Sequence, residues 1–472
     1  MAAHPDRLAQ IVKANDVRGR VHDQLDDEVA FAFGAAFPAV TQARRVLVGR
    51  DMRAHSATLC AAFARGAASR GADVVDLGLC ATDELYFATG RLDLPGAVFT
   101  PSHNPADYGG MKFSRAGALP MGAETGLPEL AALAGRLLAG EIEAAPAAAR
   151  PGAVESMDLL ADYAGYLRCL VDLDGIRPLT VVIDAGNGMA GLTAPAVFAG
   201  TAVTVVPLYF ELDGTFPNHD ANPLVPENLR DLQAAVVGHA ADAGLAFDGD
   251  ADRCFVVDAD GDAVSPSAIN ALIATRELAR RPGASVIHNL ITSRVVPEVV
   301  REHGGTPVRT RVGHSFIKAE MARTGAVFGG EHSAHYYFQD FWGADSGMLA
   351  ALHVLATLGR SDRPLAELAA RYDRYTGSGE INSTVDDQAA ALARVAGLGA
   401  ELTALAGQPG RPVAVDRLDG LTLEPADPDR PHWWVNVRPS NTEPLVRLNV
   451  EAADATTMQL LRDRALAAIR TH

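Results

Sequence analysis

The sequence predicts an α/β protein made of three similar βαβ-containing domains followed by a smaller α+β C-terminal domain. Three observations carry this reading. A strand–helix–strand pattern occurs three times along the 472 residues. In every copy the helix runs into glycine before the second strand, as a left-handed helix stop requires. The segment beyond residue 371 is patterned differently.

The first copy is Val46-Leu47-Val48-Gly49, an alanine-rich helix from Ser56 to Arg70, and Ala72 to Leu77. The second is Thr180 to Asp184, Met189 to Phe198 and Ala202 to Val206; the third is Ser285 to Ile287, Arg294 to His303 and Thr306 to Thr310. Their glycine stops are Gly71, Gly200 and Gly304-Gly305. Short apolar runs joined through a helix build parallel sheets. Ala139 to Gly152, with Pro146 and Pro151, reads as a joint, and a second joint falls just after Asp252-Arg253. The expected domains are therefore 1–148, 153–254, 255–370 and 372–472. In the last, Pro412 to Glu424 reads as a hairpin around Asp419-Gly420. Thr457 to Arg470 reads as a helix with an apolar stripe of Met458, Leu461, Ala465 and Ala468.

A chain this long exceeds one hydrophobic core. Its 48% hydrophobic and 21% charged residues are those of a globular protein. The net charge of −17, from 58 acidic and 41 basic residues, disfavours nucleic acid and anionic membrane as partners. A bound phosphate must then be held by a local cluster of donors, which favours a small phosphorylated metabolite. The four cysteines, Cys60, Cys80, Cys169 and Cys254, show no C-x-x-C spacing and read as buried apolar groups of a reducing compartment. With neither a signal-like N-terminus nor an apolar run of spanning length, the expected location is cytoplasmic.

Four stretches carry chemistry. Thr100-Pro101-Ser102-His103-Asn104-Pro105, continuing through Asp107 and Tyr108-Gly109-Gly110-Met111-Lys112, follows a buried apolar run. Its prolines and glycines make it a shaped loop with a hydroxyl nucleophile, acid/base groups and a cation; a plain polar turn is the alternative. Asp248-Gly249-Asp250-Ala251-Asp252-Arg253 alternates carboxylates around one point, the hard-oxygen set of a Mg²⁺- or Ca²⁺-type cation. An EF-hand is excluded, since Arg253 and Ala259 stand where loop positions six and twelve need Gly and Glu. The similar Asp258 to Asp262 is better explained as a hairpin turn.

Gly330-Glu331-His332-Ser333-Ala334-His335 sets a carboxylate and a hydroxyl two residues apart, a pairing suited to vicinal sugar hydroxyls. Arg438-Pro439-Ser440-Asn441-Thr442 offers a guanidinium, hydroxyls, an amide and loop N–H groups to a phosphate. For both, a structural turn is the alternative. Gly186-Asn187-Gly188-Met189-Ala190-Gly191 fits the dinucleotide-binding fingerprint, with Glu211 twenty residues on. The acidic residue lies past the tip of the second strand, however, so nicotinamide binding is set aside.

With these four stretches in this order, nearly the whole chain resembles the α-D-phosphohexomutase superfamily, and within it the bacterial phosphomannomutase/phosphoglucomutase group. The resemblance implies four domains around a central cleft, each contributing one loop. It implies phosphorylation of Ser102 and Mg²⁺ between that phosphate and Asp248, Asp250 and Asp252. It further implies proton transfer by His103 and Lys112, Arg253 steadying the phosphoryl group, and Arg18 near the active serine. Sugar contacts fall to His314, Glu331 and Ser333, and phosphate contacts to Arg438, Ser440, Asn441 and Thr442. The N-terminal motif Lys13 to Gly19 departs from the family in carrying Asn15 for its usual tyrosine. Leu290-Ile291-Thr292-Ser293 lacks the lysine of relatives in this group.

The implied reaction interconverts mannose 1-phosphate and mannose 6-phosphate, with glucose phosphates also accepted, through a hexose 1,6-bisphosphate that doubles as activator. The partners implied are small hexose phosphates, with the protein a monomer or homodimer. A phosphoglucosamine mutase, a metal-dependent sugar-phosphate phosphatase and a non-catalytic sugar-phosphate binder stay as alternatives.

Overall fold

A computed structural model describes residues 4–141, 150–427, 432–440 and 444–471. They form two compact units. One comprises Met1–Pro266, Met321–Gly329 and Ser333–Leu368; the other comprises Ser267–Glu320, Gly330–His332 and Ala369–His472.

In the first unit, the first βαβ copy is strand Arg45–Arg50, helix Ala54–Ser69 and strand Asp73–Leu79, with the two strands parallel. Gly71 ends the helix at φ 81°. Gly96–Phe99 joins parallel to Arg45–Arg50. Tyr108–Arg115 then returns antiparallel to Gly96–Phe99 and accepts Val17–Arg20 on its other edge. The chain beyond the expected linker adds one more strand, Val154–Ser156, beside Asp73–Leu79. Phe33, Phe37, Phe63, Phe99 and Phe113 fill the core under this sheet, with ring centroids 5.5–6.2 Å apart, in stacked, tilted and edge-on arrangements.

The second sheet runs Ala263–Val264, Cys254–Val257, Ala243–Phe247, Leu179–Asp184, Val203–Leu208. Its centre is the second βαβ copy, with helix Ala190–Phe198 between parallel strands and Gly200 at φ 74°. This sheet extends past the joint expected after Arg253. The reason is the turn at Asp258, whose Oδ1 accepts from the Asp260 and Asp262 N–H groups and folds Ala263–Val264 back onto Cys254–Val257.

In the second unit, Ser285–Asn289 and Thr306–Thr310 are parallel strands connected through helix Val295–Glu302, the third copy, and Gly304 takes φ 75°. The C-terminal part is an antiparallel sheet. Leu445–Ala452 carries Thr376–Gly377 and Ile381–Thr384 on one side and continues through Trp433–Pro439, Leu421–Pro425 and Val413–Asp416 on the other. The expected hairpin turns at Gly420, φ 74°. Helix Ala455–Ile469, capped by Asp454 accepting from the Thr457 N–H, buries Met458, Leu461, Ala465 and Ala468 against Trp433 and its neighbours. Two sequence expectations are corrected. Cys169 is exposed, unlike the other three cysteines, because it lies on the solvent side of helix Leu160–Leu170. Tyr108 to Lys112 is strand, not loop. Among the described residues, no helix is long and apolar enough to cross a membrane.

Candidate active site

The loop between Gly96–Phe99 and Tyr108–Arg115 holds Ser102 at φ 57° and 3% exposure. A left-handed conformation costs a non-glycine residue about 1–2 kcal/mol. It is sustained here by the Ser102 N–H donating to Thr100 Oγ1 at 3.0 Å and by Arg18. Arg18, on Val17–Arg20 opposite Gly110, donates to the Pro101 carbonyl at 3.1 Å and to Asn104 Oδ1 at 2.7 Å, and is anchored by Asp16 at 2.8 Å. Gly110 must lack a side chain, since a Cβ there would stand 2.5 Å from the Thr100 carbonyl.

Ser102 Oγ faces the aspartate loop and donates to Asp248 Oδ2 at 2.7 Å. That loop is the tight connection of an antiparallel pair, Ala243–Phe247 and Cys254–Val257, with Phe247 opposite Cys254. It turns at Ala251, φ 63°. Arg253 binds Asp248 through Nε at 2.9 Å and through a terminal nitrogen at 2.8 Å, and approaches Ser102 Oγ at 3.4 Å. Its guanidinium also touches His103 Nδ1, which lies 3.2 Å from Ser102 Oγ. Lys112 extends from its strand to bridge Asp250 Oδ2 and Asp252 Oδ2, each at 2.6 Å. Thr82 donates to the same Asp250 oxygen at 2.6 Å.

The electrostatics follow from burial and these partners. Burial raises Asp248 to about 6 despite Arg253. Burial would raise Asp250 and Asp252 too, but the Lys112 ammonium outweighs it and holds both below the usual carboxylate range. Burial pulls Lys112 down, yet Asp250 and Asp252 more than compensate and keep it charged. Burial, then the Arg253 and Arg18 charges, push His103 down to about 2, so its imidazole is neutral.

The donor set fits a divalent cation. Asp248, Asp250 and Asp252 offer oxygens all within 4.8 Å of one another. The buried Oδ1 atoms of Asp250 and Asp252 have no hydrogen-bond partner, a condition that a hard cation relieves.

The other expected residues divide between the units. Ser333 lies in the first unit, its Oγ 3.1 Å from His335 Nδ1; His335 Nε2 is 3.6 Å from Asp252 Oδ1. In the second unit, buried Glu331 accepts from Asn289 Nδ2 at 3.0 Å and from the Gly313 N–H at 3.3 Å, which sets it beside the loop that opens helix His314–Thr324. Arg438 is held by Glu380 at 2.9 Å and Asp419 at 3.9 Å. Ser440 donates its N–H to the Leu445 carbonyl at 2.9 Å. Asn441 and Thr442 lie outside the described residues.

Sequence reasoning missed Thr82, Asn289, Arg53 and the placement of His335. Asn289 ends an apolar strand and Thr82 begins a helix far from the aspartates in sequence, so neither carries a local signal. His335 stood inside a quoted motif with no partner to reveal it. The glycine-rich loop has a structural explanation instead. Met189 donates its N–H to the Gly249 carbonyl at 3.0 Å, and a Cβ on Gly188 would stand 2.8 Å from that oxygen. The loop therefore supports the aspartate loop from behind.

Comparison with known proteins gives one pattern. Four models of the phosphoglucomutase/phosphomannomutase set match in order: alpha/beta/alpha domain I over residues 9–132, domain II over 161–261, domain III over 265–375 and the C-terminal domain over 380–468. A Salmonella typhimurium phosphomannomutase is 40% identical over 464 residues, covering 97% of this chain and 98% of that protein. A Xanthomonas campestris protein named for phosphohexose mutases is 40% identical over 452 residues, covering 95% and 96%. The crystal structure of a phosphoglucomutase/phosphomannomutase family protein from Burkholderia thailandensis aligns with a TM-score of 0.85 at 33% identity, covering 98% of both chains.

Proposed function

Since the chain belongs to the phosphoglucomutase/phosphomannomutase family of intramolecular phosphotransferases, we propose that it interconverts mannose 1-phosphate and mannose 6-phosphate through phosphorylated Ser102. Glucose phosphates are accepted as well, because the two sugars differ only at C2 and a site that receives both orientations gains little from gripping that carbon. The observation that carries the reading is the geometry at Ser102 Oγ, which lies 2.7 Å from Asp248 Oδ2 and 3.4 Å from the Arg253 guanidinium.

In the first half-reaction the phosphoryl group leaves Ser102 Oγ for a free hydroxyl of the hexose monophosphate. The Oγ–P bond breaks, the new O–P bond forms, and the hydroxyl proton passes to a base. Neutral His103, 3.2 Å from Oγ, and Lys112, bridging Asp250 and Asp252, are the two groups we assign to proton transfer. The hexose 1,6-bisphosphate then turns, and the second half-reaction returns its other phosphate to Ser102. Arg253 stabilises charge on the equatorial oxygens. When bound at Asp248, Asp250 and Asp252, Mg²⁺ would supply neutralisation of the transferring group. Glu331 and Ser333 are assigned to the sugar hydroxyls. Arg438, Ser440, Asn441 and Thr442 are assigned to the phosphate that is not reacting, and Arg18 to the serine loop beside the reacting one. The name of the Salmonella typhimurium relative, a phosphomannomutase, supports mannose as the substrate.

The test is intact mass of the purified protein together with turnover. We expect one phosphoryl group on Ser102, inactivation by Ser102→Ala, dependence on hexose 1,6-bisphosphate after phosphatase treatment, and turnover of mannose 1-phosphate. Preference for glucosamine 1-phosphate would overturn the substrate. Steady release of inorganic phosphate in place of isomerised product would indicate the phosphatase.

A further inference from the structure

We propose that Arg53 is a positioning residue for Ser102, held from the second sheet's loop by Phe216, and that this Asp51–Arg53–Phe216 unit sets the turnover rate. The inference rests on the mutase reading. Arg53 lies 49 residues before the nucleophile, is 1% exposed, and takes no part in the catalytic roles assigned above. Its guanidinium nevertheless donates to three backbone carbonyls of the nucleophile loop. One terminal nitrogen reaches the Pro105 carbonyl at 2.6 Å, and the other reaches the Ser102 carbonyl at 3.1 Å and the Asn104 carbonyl at 2.5 Å. A planar fork presents these donors rigidly from two separate nitrogens, whereas an ammonium presents all of its donors from one.

Two further groups fix the fork. Asp51, itself held by Ser56 Oγ at 2.6 Å, accepts from the Arg53 N–H at 3.0 Å and lies 3.4 Å from Nε. The ring of Phe216 lies 4.7 Å beneath the guanidinium carbon. Phe216 sits at φ 52°, a left-handed backbone that a bulky aromatic residue rarely adopts. Its loop is also pressed onto Arg53, since a Cβ on Gly214 would stand 2.6 Å from the Arg53 Cα. Strained residues thus lie at both ends of the clamp, Phe216 under the guanidinium and Ser102 above it. Such outliers persist where the surroundings over-determine them for a function. Because Arg53 touches the serine loop through backbone carbonyls alone, it can alter the aim of Oγ without altering the groups assigned to hold the sugar phosphate.

The experiment is steady-state kinetics of Arg53→Ala and Arg53→Lys with mannose 1-phosphate, with and without millimolar methylguanidinium. The expected result is a ~100-fold lower kcat with KM within about threefold, since misplacement of a reacting group by about 1 Å costs that much. Methylguanidinium restores about tenfold to Arg53→Ala, and sodium chloride at the same ionic strength restores nothing. An unchanged kcat, a KM that rises in step with the loss, or absence of rescue overturns the proposal. If Arg53→Ala is insoluble, Phe216→Leu decides: a lower kcat at constant KM supports the clamp and an unchanged kcat overturns it. Amide exchange over residues 100–108 separates failure of the clamp from failure of the mutase reading. It reads the loop whatever the chemistry, and faster exchange in Arg53→Lys is expected, while equal exchange overturns the clamp.

Discussion

The carbonyl oxygen of Ser102 packs against Gly249 so closely that a Cβ at 249 would stand 2.5 Å from it. The nucleophile loop and the aspartate loop therefore meet backbone to backbone, and no flexible side chain is available to give way. Gly249→Ala should push the loops apart, at a cost of about 1–3 kcal/mol in stability, the range for overpacking. Melting temperature and kcat, measured together, should both fall. A variant with wild-type values would show that the contact tolerates a methyl group.

Removal of divalent cations should abolish turnover, and added Mg²⁺ should restore it. The orphaned Oδ1 atoms of Asp250 and Asp252 give the reason: without a cation they are buried acceptors with nothing to accept. Asp252→Asn should raise the Mg²⁺ concentration needed for half-maximal activity by on the order of tenfold or more, since carboxylate count sets affinity in such sites. Activity against free Mg²⁺ checks this.

The contribution of Asp83 and Glu84 to stability should fall as the solution becomes more alkaline between about pH 4 and pH 8. Asp83 accepts from Tyr163 at 2.7 Å and from Ser346 at 2.6 Å, and burial raises its pKa to about 7; burial raises Glu84 to about 8. The unfolded chain releases both protons near pH 4, so in that window the native state holds protons that the unfolded state lacks. Their share of the stability slope with pH is then negative, and it flattens above the folded values. Asp83→Asn keeps the acceptor and removes its share of the slope. Its advantage over wild type should grow from pH 5 to pH 8 by one to a few kcal/mol at most. Parallel melting-temperature profiles would disprove this.

Helices Asp27–Thr41 and Ala54–Ser69 touch at glycines: a Cβ on Gly34 would overlap the Phe63 carbonyl, and one on Gly66 the Phe31 carbonyl. Gly66→Val should cost about 3 kcal/mol or more and reduce the yield of soluble protein, as rigid backbone on both sides leaves nothing to relax. Urea midpoints of the variant and wild type check this.

Much of this architecture was legible in the chain because its signals are local. Helices ending in glycine marked the βαβ copies, and alternate aspartates marked the carboxylate loop, since both patterns need only a few adjacent residues. Lys112 was legible as a charge near the serine, although its strand was not: Tyr108, Gly109 and Gly110 read as a loop because glycine is scarce in strands, and only the close approach of the Thr100 carbonyl explains Gly110 there. Arg53 and Asn289 were invisible for the opposite reason. Their partners are backbone carbonyls or a carboxylate dozens of residues away, and nothing beside them in the chain hints at those contacts.

The glycine-rich loop behind the aspartates bears on how this protein can change over generations. Its spacing is that of a nucleotide-binding fingerprint, a starting point for recruiting a new ligand. Yet Gly188 and Met189 lean on Gly249, and a side chain on Gly191 would collide with the Phe210 carbonyl. Any drift that opened this loop to a guest would first loosen the aspartates beneath it. Conservation of the aspartate loop's geometry thus closes that route to innovation.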